Sequence, residues 1–217
     1  MNHKSTIQKH LIWSALTAGL LAATPTLALP SGPLHFTVLR DGSEIGTHDI
    51  DVHRDGNETR VDVATDIAVK IAFVTLYRFE HDGHEVWRDG RLVQIDSKTD
   101  DDGTSKSLHG ELGNRGLHVE GSAQKFIADT PIVPASLWND DIVRQGRLLN
   151  TLDGSEMEVS IRLVGDETVA VHGKQVPARH YDISGQLNRE VWFDADGTLV
   201  QVRFKAEDDS DIRYVLN

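Results

Sequence analysis

The sequence contains no cysteine. Disulfide stapling is thereby excluded, and an exported form of the chain must rely on its own core for stability. A lipid anchor carried on an N-terminal cysteine is excluded with it. No hydrophobic run reaches the roughly twenty residues that a membrane-spanning helix needs; the longest, LIWSALTAGLLAA at 11–23, stops at thirteen. There is no Gly-x-Ser-x-Gly turn to expose a nucleophilic serine, no glycine-rich phosphate loop and no low-complexity segment. Positive charge is scarce: 22 Lys and Arg stand against 34 Asp and Glu, a formal charge of −12. A surface of that sign repels nucleic acid and anionic headgroups, which excludes nucleic-acid binding from the expected functions.

What is present begins with a leader. MNHKSTIQKH carries Lys4 and Lys9, the apolar run follows, and TPTLALP places Thr26 and Ala28 at the −3 and −1 positions of a cleavage site. A positive start, an apolar middle and a small-residue exit predict a cleaved signal peptide over 1–28. The expected product is a soluble periplasmic or secreted protein, residues 29–217, forming a single antiparallel β domain. Loss of Lys4 and Lys9 takes its formal charge from −12 to −14. The acids are scattered through turns, as suits solubility.

Apolar and polar residues alternate along most of the remaining chain, the pattern of half-buried strands. RVDVATDIAVKIAF places Val61, Val63, Ile67, Val69, Ile71 and Phe73 on one face. MEVSIRLV does so with Met157, Val159, Ile161 and Leu163, and TLVQVRFK with Val200, Val202 and Phe204. DIRYVL places Ile212, Tyr214 and Leu216 together. Asp-Gly turn signals punctuate these runs at RDGSE (40–44), RDGN (54–57), HDGH (81–84), RDGR (88–91), DDDGT (100–104), LDGS (152–155) and DADGT (194–198). Asp-Gly tolerates the positive φ angles of tight hairpins. The exception is TPIVPASLWNDDIVRQGRLL, which lacks alternation. Here Pro134 is expected to start a short helix with Leu137, Trp138 and Ile142 on one side. The expected fold is mainly β: one strongly curved antiparallel sheet, a half-barrel or open barrel, with one short helix or loop against its concave face.

One short pattern occurs twice, as EVWRDGRL (85–92) and EVWFDADGTL (190–199). In each, Trp ends a strand, Asp-Gly turns the chain and Leu opens the next strand. The Trp-to-Gly spacing differs between copies, which argues for architecture rather than duplicated chemistry, with both Trp rings covering one open end of the sheet. EVWFDADGTLVQVRF resembles the penultimate hairpin of the periplasmic lipoprotein-carrier half-barrels. The chain is more similar to the exported domain-of-unknown-function family 6134, through GTHDI, LYRFEHDGHEVWRDGRL, TDDDGTS, PASLWND, LLNTLDG, VWFDADGTL and DSDIRYVL. The resemblance covers nearly all of residues 29–217. It implies a strongly curved antiparallel sheet wrapped round a short helix or loop, and supplies no chemistry to transfer.

Candidate sites are few. His81, Asp82 and His84 would hold zinc or copper only with a ligand from elsewhere, so no metal is expected. TDDDGTS lacks the spacing of a calcium loop. Ser136 has no announced base or oxyanion hole, and backbone bonding or helix capping is its expected role. No catalytic residue and no cofactor are assigned. The segment round it is more informative: Pro131, Ile132, Val133, Pro134, Leu137 and Trp138 form an apolar, proline-stiffened stretch in an acidic chain. Long non-strand insertions in sheet proteins are often functional. Pro134, Ser136, Leu137, Trp138 and Asn139 are therefore the candidate ligand-binding residues, as a lid over the concave face; the alternative is that 130–145 fills that face as core. The expected function is a non-enzymatic carrier of an apolar or acyl ligand, with a small molecule or lipid as partner. The alternatives are an envelope structural or protein-interaction module and, with least support, an isomerase or hydrolase.

Overall fold

Alternating strands joined by tight turns must pair with their sequence neighbours, and the apolar faces then coalesce as the sheet curls. The computed structural model describes residues 33–217; the leader assigned to 1–28 lies outside the described residues. The first meander comprises β1 (Leu34–Arg40), β2 (Ser43–Asp55), β3 (Glu58–Ile71), β4 (Val74–Arg88), β5 (Arg91–Asp101), β6 (Thr104–Gly113), β7 (Gly116–Gly121) and β8 (Lys125–Ala128). After a two-residue β9 (Val133–Pro134) and a 3-10 helix (Asp140–Arg144) comes β10 (Arg147–Leu149). The second meander continues with β11 (Glu156–Val171), β12 (Lys174–Gly185), β13 (Arg189–Asp194), β14 (Leu199–Lys205) and β15 (Asp211–Leu216).

The result is one sheet of 15 strands in the order β8-β7-β6-β5-β4-β3-β2-β1-β15-β14-β13-β12-β11-β10-β9. The first and last strands pair in its middle, with Phe36 opposite Leu216 and Val38 opposite Tyr214. All pairings are antiparallel except β9 with β10. The sheet is not closed by strand pairing, but its edges are brought together by loops. Ala123 N–H donates to Asp153 O at 3.0 Å, and Glu156 N–H to Gln124 Oε1 at 3.1 Å. Gly121 is required at this seam, because a Cβ there would lie 2.0 Å from Asp153 O. Among the described residues, no helix is long and apolar enough to cross a membrane.

Three of the Asp-Gly hairpins put both residues at positive φ: Asp41 and Gly42 at 48° and 83°, Asp89 and Gly90 at 50° and 73°, Asp102 and Gly103 at 50° and 87°. That is the backbone of the two-residue hairpin turn whose twist matches its strands. HDGH is a correction: it lies inside β4, not at a turn. His81, Gly83 and His84 oppose Thr65, Val63 and Asp62 in unbroken register, so pairing on both sides overrides the local turn preference. Phe73 is a second correction. The chain reverses at 72–73, so the ring is exposed at a hairpin tip with Val74 and Leu76 rather than continuing the inward set. Pro134 is a third. It pairs with Leu149 in β9, and the helical turn starts only at Asp140, where Asn139 Oδ1 caps it by accepting from Asp141 N–H at 2.8 Å.

Register fixes what faces inward. Glu85 opposes Val61, Val61 opposes Val52, Val38 opposes Tyr214, Tyr214 opposes Val202 and Val202 opposes Val191. Side chains alternate by two along each strand, so Glu85, Trp87 and Val191 share the inner face, whereas Trp192 points to the other. The expectation that both Trp rings cover one open end fails for this reason: the two copies of Glu-Val-Trp sit one residue out of phase, and one residue of slip exchanges the faces.

Candidate functional site

The segment 130–145 enters the curled sheet as a plug. Ile132, Trp138 and Ile142 are buried in the main core, and so are Ser136, Asn139 and Asp140. An unpaired loop at such depth needs polar partners for what it carries in. The sheet supplies Glu85, only 2 % exposed. Its Oε2 accepts the indole N–H of Trp138 at 2.9 Å and that of Trp87 at 2.8 Å. The two indoles meet edge to face with centroids 5.7 Å apart. Burial pushes the Glu85 carboxyl up, against the indole bonds and the nearby Ser136 hydroxyl, which favour its charge. That hydroxyl makes no hydrogen bond of ordinary geometry. Leu137, between Ser136 and Trp138, is held at φ 63°, a left-handed conformation that costs a non-glycine residue about 1–2 kcal/mol. The candidate residues Ser136 and Trp138 are thus brought to a carboxyl with Leu137 between them in the chain, while Pro134 and Asn139 fix the two ends of the turn.

Beside the plug lies a pocket of about 290 Å3. Trp87, Leu92, Leu112, Leu117 and Ala128 form its sheet wall, and Ile132 and Val133 its plug wall. Its lining is apolar except near Arg91, Thr130, Asp141 and Gln145.

Away from the plug the inner face carries an aromatic cluster. His48 and Tyr214 rings stand 5.1 Å apart, Phe204 meets Tyr214 edge to face at 6.0 Å, and the Arg189 guanidinium lies 3.5 Å over Phe204. Phe204 and Tyr214 pack both against the main core and against a small second cluster of Val38, Ile67 and Ile212. His48 shares a 2.7 Å hydrogen bond with Thr65, and burial holds its imidazole down at about 4, so it is neutral at neutral pH. On the next strand His81 pairs with Thr99 at 2.8 Å. His84 points out instead, to Asp62 at 2.7 Å, so the two histidines of HDGH cannot share a metal.

The outer face of the first meander carries a shallow polar hollow of about 940 Å3. Cross-strand pairs line it: His35 donates to Asp49 at 2.7 Å, His84 to Asp62 and His109 to Asp96 at 2.6 Å. The bond to Asp96 holds His109 above the usual imidazole value. The second Glu-Val-Trp copy builds a different outer cluster. Trp192 stacks on His180 at 4.1 Å and donates to Glu167 at 2.9 Å, while His180 lies between Glu167 at 2.8 Å and Glu190 at 3.0 Å.

Glu85, Arg189 and Tyr214 were not singled out by sequence reasoning. A signal for the first two exists: each is a charged residue in the apolar phase of its strand, Glu85 in step with Trp87 and Arg189 with Val191. A comparison with curated proteins finds no match. Among solved structures, the chain is similar to the "Beta-barrel-like Protein of Domain of Unknown Function DUF1849 from Brucella abortus", with a TM-score of 0.64 at 11% identity. The match covers 88% of this chain and 97% of that one, and at this identity it shows the fold alone. The model of the family "Domain of unknown function (DUF6134)" matches residues 36–217, and the chain belongs to that family.

Proposed function

We propose that the protein is a non-enzymatic binding module, exported to the periplasm or secreted, that takes a small apolar ligand in the pocket beneath its plug. The observation that carries this reading is a pocket with an apolar sheet wall whose opposite wall is the plug itself. Its volume of about 290 Å3 stands at the lower edge of ligand sites, which run from about 300 to 1,000 Å3. The ligand is therefore one short chain or ring, or one end of a longer molecule. Pro131, Ile132 and Val133 form the plug wall of the pocket, and Pro134, Ser136, Leu137, Trp138 and Asn139, the lid residues of this reading, anchor that wall in the core. The Trp138 bond to Glu85 is the anchor. Export rests on the order of charge, apolar run and small residues in the first 28 positions.

Ala128→Phe tests the reading by filling the pocket. The wild-type protein should bind the neutral fluorophore N-phenyl-1-naphthylamine, the variant should not, and the thermal midpoint should barely change. Equal binding by both would refute the site. A second reading, an envelope interaction module, is favoured by the hairpin tip where Phe73, Val74 and Leu76 stand exposed together.

A further inference from the structure

We infer that the aromatic cluster at the end away from the plug is a binding site for a carboxylate attached to an apolar body, held by Arg189 and Tyr214. This site is separate from the pocket beneath the plug and does not depend on it.

Arg189 has the wrong company for a structural arginine. It sits on the inner face, in step with Val191 and opposite Ile183. Protein encloses its guanidinium on most sides, and burial pushes its pKa down. Yet it keeps some solvent-accessible surface, as do Phe204, Tyr214 and His48, so a ligand can reach all four. Among the described residues its only hydrogen bond runs to Asn188 O at 2.9 Å, and its only ring contact is Phe204. No carboxylate among the described residues forms an ion pair with it. Glu190, next in the chain, turns to the opposite face, towards His180 and Arg203. A cation this enclosed normally has a counter-charge, because desolvation without one is costly. In a chain of formal charge −12, an acid could easily have been placed beside it.

The second donor is Tyr214. Its hydroxyl makes no hydrogen bond among the described residues, and its ring meets Phe204, the ring over which the Arg189 guanidinium lies. A buried phenol usually finds a partner. Two uncommitted donors flank one ring, one planar and charged, one neutral. A guanidinium fork pairs two N–H groups with the two oxygens of a carboxylate, and a single positive charge suits a monoanion. The rings of Phe204 and Tyr214, with the Val38 and Ile212 patch behind them, would bury the apolar body of such a molecule.

The test uses octanoate as probe, with 1-octanol and inorganic phosphate as comparison arms, read by calorimetry and by amide chemical shifts on the mature protein. Octanoate should bind with shifts centred on Arg189, Phe204 and Tyr214, and 1-octanol at least tenfold more weakly. Arg189→Met keeps packing against Phe204 and should lose at least tenfold in affinity. Arg189→Lys should retain part of it, and Tyr214→Phe should lose a few-fold. Ala128→Phe should leave octanoate binding unchanged, which separates this site from the one beneath the plug. Without ligand, Arg189→Met should raise the melting temperature, since it removes an unpaired enclosed charge. Wild-type octanoate affinity in Arg189→Met, equal binding of octanol, or displacement of octanoate by equimolar phosphate would each overturn the assignment. So would a lower melting temperature in the ligand-free Met variant, which would make stacking on Phe204 the purpose of the guanidinium.

Discussion

Glu85→Gln separates charge from hydrogen bonding at the plug. Both indole N–H groups donate to one oxygen, Oε2, at 2.8 and 2.9 Å. A glutamine amide oxygen at this position can accept both, while the ionisable group disappears. Burial raises the folded carboxyl above its ordinary 4.5. Between that value and the raised one, the native state therefore holds a proton that the unfolded chain has released. Stability conferred by this group falls as pH rises through that window, by at most about 1.4 kcal/mol per pH unit, and is level above it. Many surface acids have lowered values and slope the other way, so the informative quantity is the difference between wild type and Glu85→Gln. That difference should be within about 1 kcal/mol below pH 4.5, as for a swap that preserves its hydrogen bonds, and should favour the variant increasingly towards neutral pH. Glu85→Ala is the contrast. It orphans two buried indole N–H groups at about 1–3 kcal/mol each, or about 2–6 kcal/mol before any cavity cost. Trp138→Ala should cost about 3–5 kcal/mol by opening a cavity in a filled core. Urea unfolding from pH 4 to 8 measures all four proteins. If Glu85→Gln proves as damaging as Glu85→Ala, the plug is held by charge and the reasoning fails. A wild-type-minus-Gln difference that ignores pH would show that the carboxyl is not shifted.

Other expectations concern the outer cluster and the seam. Trp192→Ala removes the stacking partner of His180 and a donor to Glu167, and should cost about 3–5 kcal/mol in denaturant unfolding; an unchanged midpoint would mean the outer cluster is a binding surface instead. Gly121→Ala drives a methyl into Asp153 O and should part the seam, with faster amide exchange at 121–124 and 153–156. Protection equal to wild type there would show that the edges are not held by this approach.

The sequence by itself determined the strands and most of their turns. Period-two alternation at Val61, Val63 and Ile67, or at Val200 and Val202, carries the burial pattern within it, because only one pleat face can be dry. The Asp-Gly pairs at 41–42, 89–90 and 102–103 likewise specify tight reversals through their tolerance of positive φ. HDGH shows the limit of that local logic. The same dipeptide at 82–83 is extended because long neighbours pair with it on both sides, a fact no short window contains. Nor does the string reveal that the two Glu-Val-Trp copies face opposite ways. Phase is set by pairing passed strand to strand through β1 and β15, whose residues lie almost a chain length apart. The candidate segment was legible as apolar and irregular, but its partner was not, since Glu85 and Trp138 are separated by 53 positions. The aromatic cluster was hidden for the same reason: Arg189, Phe204, Tyr214 and His48 come from four strands. Local chemistry chose the strands, and only the curvature of the whole sheet decided which side chains meet inside it.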